Sequence, residues 1–385
     1  MTILIAPDKF KGSLSAHEVC DIVSEELRLH GSFKIVALPL ADGGEGTCEL
    51  LTTFSGGTMV RIPVRDPLAR TINSEYGISK DGRIAFLEMA TASGLQLLKK
   101  DERNPLFTTT LGTGDLIRHA LDSGVDQIIM GVGGSATNDG GMGMAESLGV
   151  VFYNASGNRL AGNGQNLAHI QSFDSSGVHP RLAQVNFTIF CDVDNPLHGP
   201  NGAAYVFSPQ KGADEQMVRE LDNGLKHYQN ILEKNNLVNA ISEIRAIRPI
   251  RVNFPGAGAG GGLPASLKAF ASIKIRRGMD FIAEFTNLEE KIKSADFVIT
   301  GEGKVDSQTL SGKVVKGVAD LAKKNHKRLA IIAGKNELDP KPLAELGATA
   351  VVTLVADGLG EQEAMQHVSQ VLKKRVREQI IPLLL

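Results

Sequence analysis

Five stretches of the chain set Gly, Asp, Lys, Ser and Asn directly after an apolar run of strand character: Ile3–Ser13, Leu38–Thr47, Ile128–Gly141, Thr188–Gly199 and Phe297–Lys313. Together these residues offer free amides, hydroxyls, ammonium groups and carboxylates, the donor set for phosphate and for a hard cation. Asp8, Lys9 and Lys11 stand just ahead of a helix start, where unpaired amides and the helix dipole favour an anion. The plain alternative there is a solvated turn with surface lysines. Asp42 and Glu45 lie three apart in DGGEGT, a loop whose glycines allow left-handed dihedrals, so both carboxylates can converge on magnesium. The alternative is a structural turn in which Asp42 caps the next helix.

The run Gly131–Gly141 (GVGGSATNDGG) presents open amides at Gly133 and Gly134, the hydroxyls of Ser135 and Thr137, Asn138, and Asp139 as an acceptor or metal ligand. Tight packing alone does not call for that density of glycine and polar groups. Asp192, at the end of an apolar strand in CDVDNP, can orient a substrate hydroxyl or hold a metal, and Asp192 and Asn195 can equally form a turn or cap. Lys211 in SPQKG can neutralise phosphate or carboxylate, although a loop lysine is ordinarily exposed. Glu302 and Asp306 in GEGKVD repeat the acidic-loop composition, which suggests one shared cation, and Lys313 leads into a helix within reach of a phosphate. The Walker A pattern GxxxxGK[ST] is absent. Gly256–Gly262 carries a GxGxxG spacing, but it lies late and is bracketed by Pro255 and Pro264. It reads as a glycine loop approaching phosphate or another backbone, in preference to a dinucleotide site.

Elements must hold these turns in place, and 385 residues with 42% hydrophobic content suffice for two cores. The balance of 41 basic and 43 acidic residues gives no broad attraction to nucleic acid or anionic lipid, so neither partner is expected. Cys20, Cys48 and Cys191 are widely spaced and form no CxxC pair, which fits a reducing cytoplasm. No signal or membrane segment is read, so a soluble, uncleaved protein is expected. A strand at Ile3–Ala6, a capping box at Ser15 and Glu18, a helix through Leu27 and a strand at Lys34–Leu40 make a βαβ start. Runs between Thr58 and Leu87 read as hairpin strands, Thr109–Gly149 as helix, strand and helix, and Leu221–Leu237 as an amphipathic helix. Beyond Leu288 the pattern predicts helix 288–294, strand 296–300, helix 312–324, strands 329–333 and 350–355, and a last helix 361–380. The expected organisation is a domain of residues 1–75 and 285–385 interrupted by a domain of residues 76–284.

The blocks APDKFKGSLSA, PLADGGEGT, ERNPLFTTTLGTGDLI, GVGGSATNDGGMGM, CDVDNPLHGPNGAAYVFSPQKGA, GAGAGGGL and TGEGKVDSQTLSGK, in this order, strongly resemble the bacterial glycerate kinase type I family. The resemblance implies a flavodoxin-like parallel-sheet α/β domain made from both chain ends and an inserted α/β domain with a mixed sheet. It implies a cytoplasmic enzyme that moves the γ-phosphoryl group of ATP to D-glycerate with Mg²⁺, most often at the 2-hydroxyl. On that reading Asp42, Glu45, Glu302 and Asp306 handle the metal, and Gly133, Gly134, Ser135, Asn138 and Lys313 the ATP phosphates. Lys9, Ser13, Asn195 and Lys211 bind substrate, and Asp192 is the catalytic base, with Asp8 in reserve and Lys11 beside it. A homodimer is left open. An NAD-dependent hydroxy-acid dehydrogenase using the Gly256 region and a non-catalytic anion-binding module are the other readings.

Overall fold

The computed structural model describes residues 1–234, 250–355 and 358–385. In chain order its strands are β1 Thr2–Ile5, β2 Lys34–Ala37, β3 Thr58–Arg65, β4 Thr71–Ile78, β5 Ile84–Glu88, β6 Gln127–Gly131 and β7 Val151–Tyr153. There follow β8 Arg159–Leu160, β9 Ser172–Asp174, β10 Asn186–Phe190, β11 Ser272–Arg276, β12 Phe297–Val305, β13 Arg328–Asn336 and β14 Ala350–Thr353. The chain divides into two compact units, Met1–Asp42 with Gly278–Leu385, and Gly43–Arg277.

The unit of the chain ends holds a fully parallel sheet in the order β14-β13-β12-β1-β2. Counted along the chain within this unit the order is 2-1-3-4-5, the flavodoxin-like arrangement, with its switch point between β1 and β12. Helix Ala16–His30 begins at the expected capping box, where Ser15 and Glu18 satisfy each other's amides. Its Val19, Val23 and Leu27 pack with Ile3 and Ile5 of β1, and with Leu372, Val376 and Ile380 near the carboxyl end. Each such side chain contributes about 1.5–3 kcal/mol through burial. Helix Val314–Lys324 packs on β12 and β13. The stretch expected as one helix over 361–380 is broken at His367 (φ −114°) into Glu361–Gln366 and Val368–Arg375, continued by a wider turn through Ile380.

The inserted unit carries a mixed sheet, β11-β10-β6-β5-β4-β3, and a small antiparallel sheet, β8-β7-β9. Strands β5, β6, β10 and β11 run parallel, while β4 and β3 continue the sheet antiparallel as the expected hairpin. Pro63 is tolerated in β3 because that strand lies at the sheet edge. This pairing also corrects the expected boundaries. β3 and β4 belong to the inserted unit because β4 is bonded to β5, so the chain crosses at Asp42–Gly43 instead of near residue 75, and returns at Gly278. The helix expected over Leu221–Leu237 starts earlier and runs Glu215–Lys234; residues 235–237 of that expectation lie outside the described residues.

Candidate active site

In the unit of the chain ends, the residues past the carboxyl ends of β1 and β2 and within the far end of β12 are acids. Asp8 follows β1 and is only 9% exposed; its backbone N–H donates to the Gly301 carbonyl of β12 at 2.8 Å. Burial, together with the charges of Asp42 and Glu302, pushes the Asp8 carboxyl up to about 7 against the opposing Lys9 N–H, which donates to it at 2.7 Å. Burial likewise pushes Glu302 up to about 7; the Thr309 hydroxyl and the Lys313 charge pull it down, and Asp306 and Asp42 push it further up. Thr309 Oγ1 donates to Glu302 Oε1 at 2.5 Å.

Glu302 does not lie on a loop after a strand, as its GEGK setting suggests. It sits inside β12, which stays paired to β13 through Val305. The flanking glycine has a steric reason: a Cβ on Gly303 would stand 2.9 Å from the Lys11 backbone nitrogen, so β12 passes against the turn that follows β1. Lys313 occupies the N-cap of helix Val314–Lys324, with its ammonium 3.6 Å from Asp42 Oδ2 and 3.2 Å from Gln308. Asp306 accepts from the Gln308 N–H at 2.8 Å and its own N–H donates to Thr309 Oγ1, so it organises the turn that aims Thr309 at Glu302. Lys9 is half-buried and Lys11 exposed, while the Ser13 hydroxyl donates to the Phe10 carbonyl at 2.9 Å.

In the inserted unit the loop after β6 has a different character. Gly133 and Gly134 are exposed, and a Cβ on Gly133 would meet nothing within 4 Å. Asp139 is fully buried and accepts from the N–H groups of Thr110, Gly141 and Gly143 and from the Thr110 hydroxyl. Burial pushes its pKa up on balance against the pull of these donors, and the four hydrogen bonds make Asp139 an anchor of the loop. Lys211 departs from the ordinary fate of a loop lysine: it is 2% exposed, and its ammonium donates to Ser135 Oγ at 2.8 Å and to the Thr137 carbonyl at 2.6 Å. Burial lowers its pKa to about 7 despite the Asp139 charge. Thr137 Oγ1 and both side-chain polar atoms of Asn138 are buried with no partner in the structure.

Asp192 is exposed just past β10. Asn195 ties its own loop, donating to the Asn201 carbonyl at 2.8 Å and accepting from the Gly258 N–H. Glu45 is exposed and falls on the inserted unit, whereas Asp42, Glu302 and Asp306 fall on the other. Gly256–Gly262 approaches backbone, as one of its two expected uses requires: a Cβ on Gly261 would lie 2.0 Å from the Thr137 carbonyl oxygen, and the Gly140 N–H donates to the Gly261 carbonyl.

The family model for the Glycerate kinase family matches residues 3–384. The chain belongs to the glycerate kinase family. It is 44% identical to the glycerate 2-kinase of Escherichia coli (strain K12) over 92% of this chain and 91% of the relative. It is 43% identical to the glycerate kinase of Halalkalibacterium halodurans over 98% of this chain and 96% of the relative. A solved structure described as glycerate kinase 2 from Salmonella typhimurium LT2 superposes with a TM-score of 0.85 at 40% identity, covering 100% of this chain and 98% of that one. The chain is therefore an enzyme that acts as a kinase, and the dehydrogenase and binding-module readings fall away. Among the described residues no helix is long and apolar enough to cross a membrane.

For this glycerate kinase family member, sequence reasoning passed over Glu88. It is buried at the end of β5, and its Oε1 accepts the Cys48 N–H at 2.8 Å, capping helix Thr47–Phe54, which follows the DGGEG loop. Asp42 therefore does not provide that side-chain cap; the N-cap is Gly46 at φ 90°. A lone Glu ending the apolar run Ile84–Leu87 is the one signal that marks position 88 in the sequence. Among the described residues no three His, Cys, Asp or Glu side chains form a ready metal cage. Magnesium does not need one, since it takes one or two carboxylates together with phosphate oxygens and water. The buried Glu302 carboxyl, pushed further up by the charge of Asp42, fits that role together with Asp42.

Proposed function

We propose that the chain transfers the γ-phosphoryl group of ATP to the 2-hydroxyl of D-glycerate, giving 2-phosphoglycerate and ADP, in the cytoplasm and with Mg²⁺. The observation that carries this reading is the pair of buried carboxyls, Asp8 and Glu302, placed at the switch point of a flavodoxin-like sheet. Ligands of open α/β sheets bind at that position. The Escherichia coli relative, a glycerate 2-kinase, supports the 2-hydroxyl, and three free buried cysteines suit a reducing compartment.

Asp8 takes the place of Asp192 as base, because a general base works best with a pKa near the operating pH and the Asp8 carboxyl has been moved there. As the glycerate oxygen attacks phosphorus, the hydroxyl proton passes to Asp8, and the bond from phosphorus to the bridging oxygen of ADP breaks. Asp192 is the inserted unit's acceptor for a substrate hydroxyl. Lys9 and Lys11 draw the glycerate carboxylate toward the turn after β1, with Ser13 and Asn195 shaping their loops. Lys313, at a helix amino end, stabilises charge on the transferring phosphoryl. The Gly133 and Gly134 amides, with Ser135 and Asn138, receive phosphate oxygens on the inserted unit. Asp42 and Glu302 would hold magnesium, with Glu45 and Asp306 contributing through their loops; when bound, the ion neutralises phosphate charge.

The test is incubation with ATP, magnesium and D-glycerate followed by phosphorus–proton correlation NMR. The product phosphorus should couple to the proton on C2 while ADP accumulates. Coupling to the C3 protons would overturn the regiochemistry, and absence of ADP the phosphoryl transfer.

A further inference from the structure

The sequence Ser208-Pro209-Gln210-Lys211-Gly212 folds as a tight turn, closed by Gly212 at φ 98°, where a Cβ would lie 2.2 Å from the Arg103 carbonyl oxygen. The Lys211 N–H donates to the Ser208 carbonyl, so the backbone that carries this lysine is fixed before its side chain is considered. That side chain enters the interior and reaches the loop after β6. Burying an ammonium is costly unless it is well paired, and an apolar residue of similar length would fill the same volume more cheaply. Its acceptors are also unusual for a packing role. They are a hydroxyl and a carbonyl of one loop, at Ser135 and Thr137, on the segment directly after the exposed Gly133 and Gly134.

The opposite end of the same loop is held separately. Asp139 accepts the Gly141 and Gly143 amides and the Thr110 amide and hydroxyl. Gly140 is bonded to Gly261. The first half of the loop is anchored by the Leu95 N–H on the Gly134 carbonyl, the Ala136 N–H on the Ser93 carbonyl, and Lys211. Thr137 and Asn138, whose side-chain polar atoms lack partners, lie between the two anchors. Their own side chains therefore do not fix the loop.

We propose that Lys211 is a positioning residue for phosphoryl transfer: its ammonium clasps Ser135 and Thr137 and so holds the turn that presents the Gly133 and Gly134 amides. The proposal rests on the reading that this loop receives phosphate, and it replaces the expected direct contact of Lys211 with substrate. The charge that acts on the ammonium is Asp139, on the loop itself.

The test is peptide-resolved hydrogen–deuterium exchange on the full-length, substrate-free protein, paired with steady-state kinetics, for Lys211→Met. Exchange over residues 133–138 should accelerate about tenfold while β6 and β10 keep their protection. In the kinetics, kcat should fall and the KM for ATP rise, with the KM for D-glycerate changed by less than about twofold. Unchanged loop exchange with a raised KM for D-glycerate would overturn the proposal in favour of direct substrate contact. Loss of protection throughout β6 and β10 would overturn it in favour of a general core role. Should Lys211→Met fail to fold, Ser135→Ala removes one acceptor only; faster exchange confined to 133–138 supports the clasp, and unchanged exchange rejects it. The exchange arm needs no turnover, so its outcome is separate from that of the phosphoryl-transfer reading.

Discussion

The unit of the chain ends and the inserted unit both place polar residues at the carboxyl ends of parallel strands, yet the buried acids around β1 and β12 and the amide-rich loop after β6 differ in character. After β1, after β2 and within β12 stand Asp8, Asp42 and Glu302; Asp8 and Glu302 have carboxyls pushed up to about 7 by burial and by neighbouring carboxylates, Asp42 among them in both cases. After β6 stand exposed glycine amides backed by an internal lysine. The first arrangement is uncomfortable without a cation, and the second offers positive potential to an anion. A phosphotransferase needs both, since magnesium and the phosphate chain that carries it have opposite signs.

The largest effect expected from this contrast is at Asp8. Asp8→Asn should lower kcat by about 10²–10⁴-fold, the range for removing a general base. Asp192→Asn should cost less, and steady-state kinetics on both variants decide the order; a larger loss at Asp192 would return the role of base to it.

The same substitution should stabilise the fold. Asp8 has a folded pKa raised above its unfolded value, so the folded protein binds more protons than the unfolded chain between the two pKa values. Stability is therefore highest below about pH 4 as far as this group is concerned, falls as pH rises through about 7, and stays reduced above. In magnesium-free buffer at about pH 8, Asp8→Asn should gain about 2 kcal/mol in urea denaturation, and the gain should vanish near pH 4. A loss of stability at both pH values would break the contrast between the units.

A smaller effect is expected from Glu302→Gln, which should raise the magnesium concentration for half-maximal rate about tenfold, equivalent to about 1.4 kcal/mol. An unchanged magnesium requirement would remove Glu302 from the cation's neighbourhood. The smallest concerns Gly133→Ala, whose Cβ meets nothing within 4 Å. Stability should change by less than about 0.5 kcal/mol, while the KM for ATP rises about threefold because the new methyl occupies the approach to the amide. An unchanged KM would show that phosphate does not come close at that position.

Much of this organisation was legible in the sequence. Four of the five polar turns follow strands, because an apolar run ended by glycine and acid has few other ways to fold, while the fifth begins inside β12. The capping box at Ser15 and Glu18 marks the first helix within a residue. What escaped the sequence depends on contacts between distant segments. Lys211 sits in a run that reads as an exposed loop, and only the loop after β6 draws it inside. Glu302 reads as a turn residue because glycines flank it, but Gly303 is there to let β12 pass the turn after β1. Glu88 caps a helix that begins some forty residues earlier, a pairing that no local pattern announces. The hairpin β3–β4 is legible as strands, but its place in the inserted unit is not, since its partner β5 is fixed by sheet pairing alone.

The central claim is that Asp42 and Glu302 of the chain-end unit hold a cation beside the Asp8 carboxyl, and proton release on metal binding tests it most directly. Magnesium titrated calorimetrically into the protein at about pH 6.5, in buffers of different ionisation enthalpy, should displace protons from Asp8 and Glu302. The account predicts a buffer-dependent heat that disappears in Asp8→Asn/Glu302→Gln. Magnesium binding with the same heat in every buffer, or unaffected by the double substitution, would contradict it.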